Sequence, residues 1–413
     1  MTTFIDGARN PILFLSFSGV FLGLLAAWLI SCFQIYKTTL YLRQLRPIYM
    51  LLSLWLLFTW AQVNGLLGLK SINPYLSAIE FYLYAGYAAS LLLLLALLRS
   101  PARILWMVAV TMGVAIAQTL FGMINYYSEA AVFGWAPTHY AFSRVTGSFA
   151  NRNFYANLVA MSSGFALVWV LVRPANRNST KSARLDSTLS VSALVSVFLV
   201  ILFSGILLSG SRSALLSFAG ATVLVVVLAA VNTRLRLRPI GLILICTISV
   251  VLAGTQLLSQ RFSQLEFEAS DRLEQWRATI DLASGSIVTG FGAGTYETVF
   301  RSRKVGELGP MTYNHAHNDY LELALEQGAV GLLLVGLVLL FVVWVSVSRL
   351  QRSRSLQRKR LILTGLFGVS AICFHALVDF PFQVPANVWI FISMLAITIS
   401  ASKVNFATQN PPE

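Results

Sequence analysis

The sequence predicts an all-α, polytopic integral membrane protein of about 11–12 transmembrane helices with one long outer loop. Three observations predict it. The 413 residues are 57% hydrophobic and only 11% charged, too apolar for a soluble domain. Apolar runs of about 20 residues recur along the chain, each long enough to cross a bilayer. Basic residues gather in alternate loops between those runs. In lipid the backbone must satisfy its own polar groups, so each run is read as a helix.

Eleven runs qualify, at 11–33, 48–69, 75–98, 104–124, 153–172, 188–209, 213–231, 240–258, 329–347, 361–379 and 386–402. The first has no basic n-region and no small-residue cleavage site, so it is expected to be a retained span rather than a signal peptide. Cys32, Cys246 and Cys373 lie inside or at the edge of apolar runs without ligand-like spacing. They are read as inert, with no disulfide framework or zinc site.

One set of alternate loops carries nineteen of the 30 Lys+Arg and only two acids, Asp186 and Glu413. The other set carries the remaining eleven bases and fourteen acids. The net charge of +14 is therefore a signal of orientation, with the basic loops inside. A nucleic-acid surface explains it less well, because the arginines sit in short loops between spans. The loops 125–152 and 259–317 then face outward, and His139, His315, His317 and His375 all lie on or near that side. The odd span count puts the N-terminus outside. A merged span near the start would reverse that end without moving the later loops.

Within the long loop, "FEASDRLEQWRATIDLA" reads as an amphipathic helix with Leu273, Trp276, Ile280 and Ala283 on its packing face. Ser270 or Asp271 would cap it. "GSIVTGFGAGTYETVF" follows, its glycines marking tight turns more than a phosphate cradle. A short helix then begins at Asn318, its expected N-cap. It ends at Gly328 and continues as a span. Asp319, Glu322 and Glu326 share one face of it, read by default as solvated.

The candidate polar residues leave alternatives open. Arg212, in "LLSGSRSALLSF", is an arginine between two apolar runs. It is either a snorkelling side chain in a tight hairpin or a fork for phosphate oxygens. Arg272 and Arg277, five apart, cannot share one helix face, so at most one points to a site. Arg152 stands among Asn151, Asn153 and Asn157 at a span mouth, suited to sugar or pyrophosphate contacts or to hydrogen bonds between helices. His315 and His317, two apart, are a poor metal pair without further ligands. His317, just before the helix, is a candidate general base. His375 and Asp379, four apart, are read as a structural brace.

In family order, "TGSFANRNFYANLVAM", "SGSRSAL", "DRLEQWRAT", "GFGAGTYE", "HNDYLELALEQGAVGLLL" and "HALVDFPFQVPANV" resemble the O-antigen ligase and polymerase superfamily of bacterial envelope glycosyltransferases. The likeness runs from about residue 146 to 400. It implies a type-C glycosyltransferase-like fold whose outer loop is periplasmic, in the bacterial inner membrane. It divides the chain into an N-terminal bundle (1–145), a ligase-like core (146–402, with the loop 259–317) and a cytoplasmic tail (403–413). It implies a glycan donor on undecaprenyl pyrophosphate and lipid A–core or a growing glycan as acceptor. It also implies membrane lipids as surroundings, with no nucleic-acid partner, no cofactor and no metal. His317 matches the family's histidine, a base on the acceptor hydroxyl, while Arg212 and Arg272 match its donor-holding arginines. Arg152, Asn153, Arg277, His315 and Asn318 are expected to line the substrate site. A transporter of the same lipid-linked glycan is the rival from another class. Transporters, however, place polar groups near the midplane in repeated halves, and no such repeat is visible here.

Overall fold

The computed structural model of the chain describes residues 45–128, 144–173, 183–235, 262–302 and 313–406, with part of the stretch 16–27. The expected span 240–258 lies outside the described residues, as do most of 11–33, His139, Cys32 and Cys246.

The other nine expected spans are helices. They are α1 (Arg46–Asn64), α2 (Pro74–Leu97), α3 (Pro101–Ser128), a helix broken at Ser163 into α4 (Arg152–Ser162) and α5 (Gly164–Leu171), α6 (Ala183–Ser209) and α7 (Arg212–Asn232). Two helices of the long loop follow, α8 (Phe262–Ser284) and α9 (Tyr296–Ser302). Then come α10 (Asp319–Arg352), α11 (Leu356–His375) and α12 (Pro385–Lys403). Their starts obey local rules. Asn73, Asn151, Ser211, Asn318 and Ser355 each cap a helix by accepting a backbone N–H, while Pro47, Pro101 and Pro385 stand in first turns, where no N–H partner is needed. Seven of the described helices are long and apolar enough to cross a membrane. The protein is an all-helical, multi-pass membrane protein.

The bundle closes around α11. Every residue from Leu361 to Ile372 is buried, so this helix is wrapped by protein, chiefly α7 and α12, and need not be uniformly apolar. Its basic first turn ties helix ends together. Arg358 donates to the Val404 carbonyl at 2.6 Å, Arg360 to Val172 at 2.7 Å, and Lys359 to Asn232. At this end the strands β1 (Val172–Arg173) and β2 (Arg234–Leu235) make a two-residue antiparallel pair. The histidines, the carboxylates and the long-loop helices gather at the opposite end.

Three expectations about that end need correction. The loop helix starts at Phe262 rather than at a cap on Ser270 or Asp271. Leu273 and Ile280 are 51% and 56% exposed. The face turned inward carries Gln275, Thr279 and Leu282, because it meets hydrogen-bonding groups. Asp319, Glu322 and Glu326 are buried rather than solvated.

The glycine segment explains how α10 bends. Gly328 has φ 62° and ψ −161°, breaking the helix, and the freed backbone groups need partners. The chain 287–292 supplies them. Ala329 and Val330 donate to the carbonyls of Ile287 and Val288, and Phe291 and Gly292 donate to those of Leu325 and Glu326. This approach leaves no room for a side chain on Gly290 or Gly328, so the glycines serve backbone packing. The α1–α2 turn buttresses the same segment, with Ile72 N–H on the Phe291 carbonyl and Gln62 on that of Thr289.

Candidate active site

The first two turns of α10 act as a post. Its three carboxylates each hold a different piece of backbone. Asp319 accepts from Phe382 N–H at 3.0 Å, Glu322 from Ala316 N–H at 2.9 Å and Glu326 from Tyr296 N–H at 2.9 Å. Burying a carboxylate is costly unless it is hydrogen-bonded, and these bonds explain why the acidic face is turned inward. The linker after α11, the turn before α10 and the start of α9 are thereby fixed to one helix.

The turn before α10 carries the histidines. His317 has φ 50°, one of two positive-φ non-glycine residues among those described. Such a conformation persists only where its surroundings over-determine it, and it is characteristic of functional sites. Here α8 holds the turn from one side, with Gln275 donating to the His315 carbonyl at 2.6 Å and Trp276 to that of Ala316 at 3.0 Å. Glu322 holds it from the other. Asn318 caps α10 through Tyr320 N–H and Leu321 N–H and donates to the Leu377 carbonyl.

The outcome of this folding is a histidine–carboxylate pair. His317 Nδ1 lies 3.2 Å from Asp379 Oδ1, and no described residue hydrogen-bonds its Nε2. The imidazole is 35% exposed and Asp379 1%. Donation from Nδ1–H fixes the tautomer that leaves Nε2 as the open acceptor. Asp379 is the hub of the region. Its other oxygen accepts from Asn153 Nδ2 at 2.7 Å and lies 3.6 Å from His375 Nε2, which in turn contacts Ser213 Oγ at 3.3 Å. Burial pushes the Asp379 carboxyl up, but its contacts with His317 and His375 outweigh it and hold the group well below the usual carboxylate range.

Arginines surround this hub. Arg272 Nη1 donates to the Val378 carbonyl at 2.9 Å, one residue from Asp379. Arg144 and Arg152 place their Nη1 atoms 3.3 and 3.8 Å from where a Cβ on Gly210 would stand, at the turn between α6 and α7. Arg212 follows at the first position of α7 and is exposed. Ser213 ties that helix start to His375, and Asn153 ties the start of α4 to Asp379.

The fold therefore joins His317, Arg272, Asn153 and Asn318 directly to the segment 377–379, and sets Arg152 and Arg212 at the neighbouring corner. Arg277 is exposed on the far face of α8. His315 pairs with Glu322 rather than with His317, so the two histidines do not converge as a metal pair. Among the described residues no cluster of three His, Cys, Asp or Glu is placed to hold a metal ion. The His375–Asp379 brace exists, but Asp379 makes its stronger contacts elsewhere. Its partnership with His317 spans 62 residues, and no local spacing announces it. A cavity of about 290 Å³ between α1, α2, α10 and α12 has Asp319 and Glu326 in its wall and no arginine, so it belongs to the carboxylate side of α10.

Residues 197–336 match the family model described as O-Antigen ligase. Over that stretch, about a third of the chain, the sequence is similar to the O-antigen ligase-like superfamily. The matched stretch runs from α6 into α10 and so includes Arg212, Arg272, the histidine turn and the carboxylate post. Asn153, His375 and Asp379 lie outside it and reach the site only through the fold. The match supports, at family level, a membrane glycosyltransferase of the O-antigen ligase and polymerase type. Among curated proteins, none matches the chain.

Proposed function

We propose that this protein transfers a glycan from undecaprenyl pyrophosphate to an acceptor hydroxyl on the periplasmic side of the inner membrane. The observation that carries the proposal is the His317–Asp379 pair, with Nε2 open, beside a corner of arginines. In this reading His317 Nε2 takes the proton of the acceptor hydroxyl as its oxygen attacks the anomeric carbon. The new carbon–oxygen bond forms as the bond to the pyrophosphate oxygen breaks, and undecaprenyl pyrophosphate leaves. Direct displacement inverts the anomeric centre. Arg212 and Arg272, with Arg152, stabilise the charge that grows on the leaving pyrophosphate. Asp379 stabilises the imidazolium that forms. The arginines carry the neutralising charge, so turnover is expected to persist in excess chelator.

Purified protein in detergent, given the lipid-linked glycan and acceptor extracted from the source bacterium, is expected to make the joined product. That outcome also separates transfer from transport, since detergent leaves no second compartment. Wild-type turnover by both His317→Ala and Arg212→Ala would overturn the mechanism. We take lipid A–core as the acceptor, over repeat-unit polymerisation, because the matched family model is described as a ligase. A deletion strain decides between them: free polymer with bare core indicates a ligase, whereas single repeat units indicate a polymerase.

A further inference from the structure

His315 has no part in that reaction, yet it is built much as His317 is. Its Nδ1 lies 2.8 Å from Glu322 Oε1, and its imidazole is 20% exposed against 2% for the Glu322 side chain. Glu322 cannot swing away, because its other oxygen accepts Ala316 N–H. Phe380 sets the planes of both imidazoles. It stacks on His315 at 4.4 Å and 22° and meets His317 edge to face at 4.8 Å and 76°. No described residue hydrogen-bonds Nε2 of either ring. Two imidazoles thus share one aromatic support, each anchored through Nδ1 to its own buried carboxylate, and each leaves Nε2 as an acceptor.

We propose that the His315–Glu322 pair binds a second hydroxyl of the acceptor, so that the acceptor is a sugar offering two hydroxyls rather than a molecule with a lone one. This deepens, and rests on, the reading of His317 as the base. Transfer removes one acceptor proton, and His317 takes it. A second imidazole fixed in the same tautomer has no proton to remove, but it can accept a hydrogen bond from a neighbouring hydroxyl. A lone serine or threonine hydroxyl would leave this acceptor unfilled. Discrimination is strong where a site is built to hydrogen-bond a group that the wrong substrate lacks.

The test uses the purified full chain with donor and acceptor glycolipid extracted from the source bacterium. His315→Phe keeps the stack on Phe380 and removes both nitrogens; His315→Asn serves if that variant does not fold. The acceptor KM is expected to rise about tenfold, the worth of one hydrogen bond, with donor KM unchanged and kcat within about threefold. An unchanged acceptor KM, or a fall in kcat at saturating acceptor without a change in KM, would overturn the proposal. His317→Ala keeps the two readings apart. If it turns over normally, the base reading fails; if it is inactive while His315→Phe behaves as wild type, only the second-hydroxyl site fails.

Discussion

The two ends of the bundle use charge in opposite ways. At the basic end the cations close helix ends: Arg358 and Arg360 donate to backbone carbonyls and also lie over Phe406 and Trp169 at 4.8 and 4.1 Å. At the histidine end the carboxylates do the closing, since Asp319, Glu322 and Glu326 accept backbone N–H groups. Arg212 and Arg277 are left exposed there, and Arg152 and Arg272 half-buried. The cations at the basic end are held by buried backbone carbonyls, whereas at the carboxylate-held end Arg212 is exposed and Arg272 bonds the Val378 carbonyl beside Asp379. On the proposed reading, one end carries the chemistry and the other the orientation, although both ends contain arginine.

This contrast can be broken by substituting an arginine at each end. Arg272→Ala is expected to lower the rate of transfer about a hundredfold, the usual effect of removing one charge-stabilising donor, with a smaller loss of thermal stability than at the basic end, because its bond to the Val378 carbonyl is only partly buried. Arg358→Ala, at the basic end, is expected to do the reverse. It would lose about 1–3 kcal/mol of stability through the freed Val404 carbonyl and keep its kcat. Equal effects of the two on turnover would dissolve the distinction. Between them in size of effect on turnover stands Gly328→Ala. The backbone there, at φ 62° and ψ −161°, is open essentially to glycine alone, and a Cβ would stand 2.5 Å from the Val288 carbonyl. A loss of about 2–4 kcal/mol is expected, read as a fall in thermal midpoint, with turnover reduced because the glycine segment no longer supports the post. Acid sensitivity sharpens the contrast further. The Asp379 carboxyl is held low in the folded state, so its contribution to stability is complete above the unfolded value near about 4 and fades only as pH falls below it. The stability difference between wild type and Asp379→Asn, followed by denaturant titration, is expected to shrink only under those acidic conditions.

The sequence discloses the fold better than the site. Apolar runs and loop charges are local signals, and the described helices follow them to within a few residues. Asn318 as a cap and Gly328 as a break are also local, and both appear as expected. The histidine's partner was hidden because Asp379 lies 62 residues away, and Asn153 reaches it across 226. The acidic face misleads for a related reason. A carboxylate is read as solvated unless its donors are known, and these donors are backbone N–H groups of distant segments. The inward face of α8 was misplaced because periodicity assumes an apolar contact. Gln275 and Thr279 turn inward to bond Tyr296, and Leu273 and Ile280 are displaced to the surface.

The central claim is that Asp379 fixes His317 in the form that accepts the hydroxyl proton. Its most direct test is the single-turnover rate of glycan transfer by Asp379→Asn, measured with donor and acceptor saturating. The amide keeps the size of the side chain but can donate to Nδ1 and favour the wrong tautomer. The account predicts a rate at least a hundredfold lower, with donor binding intact. A single-turnover rate equal to that of the wild type would contradict it.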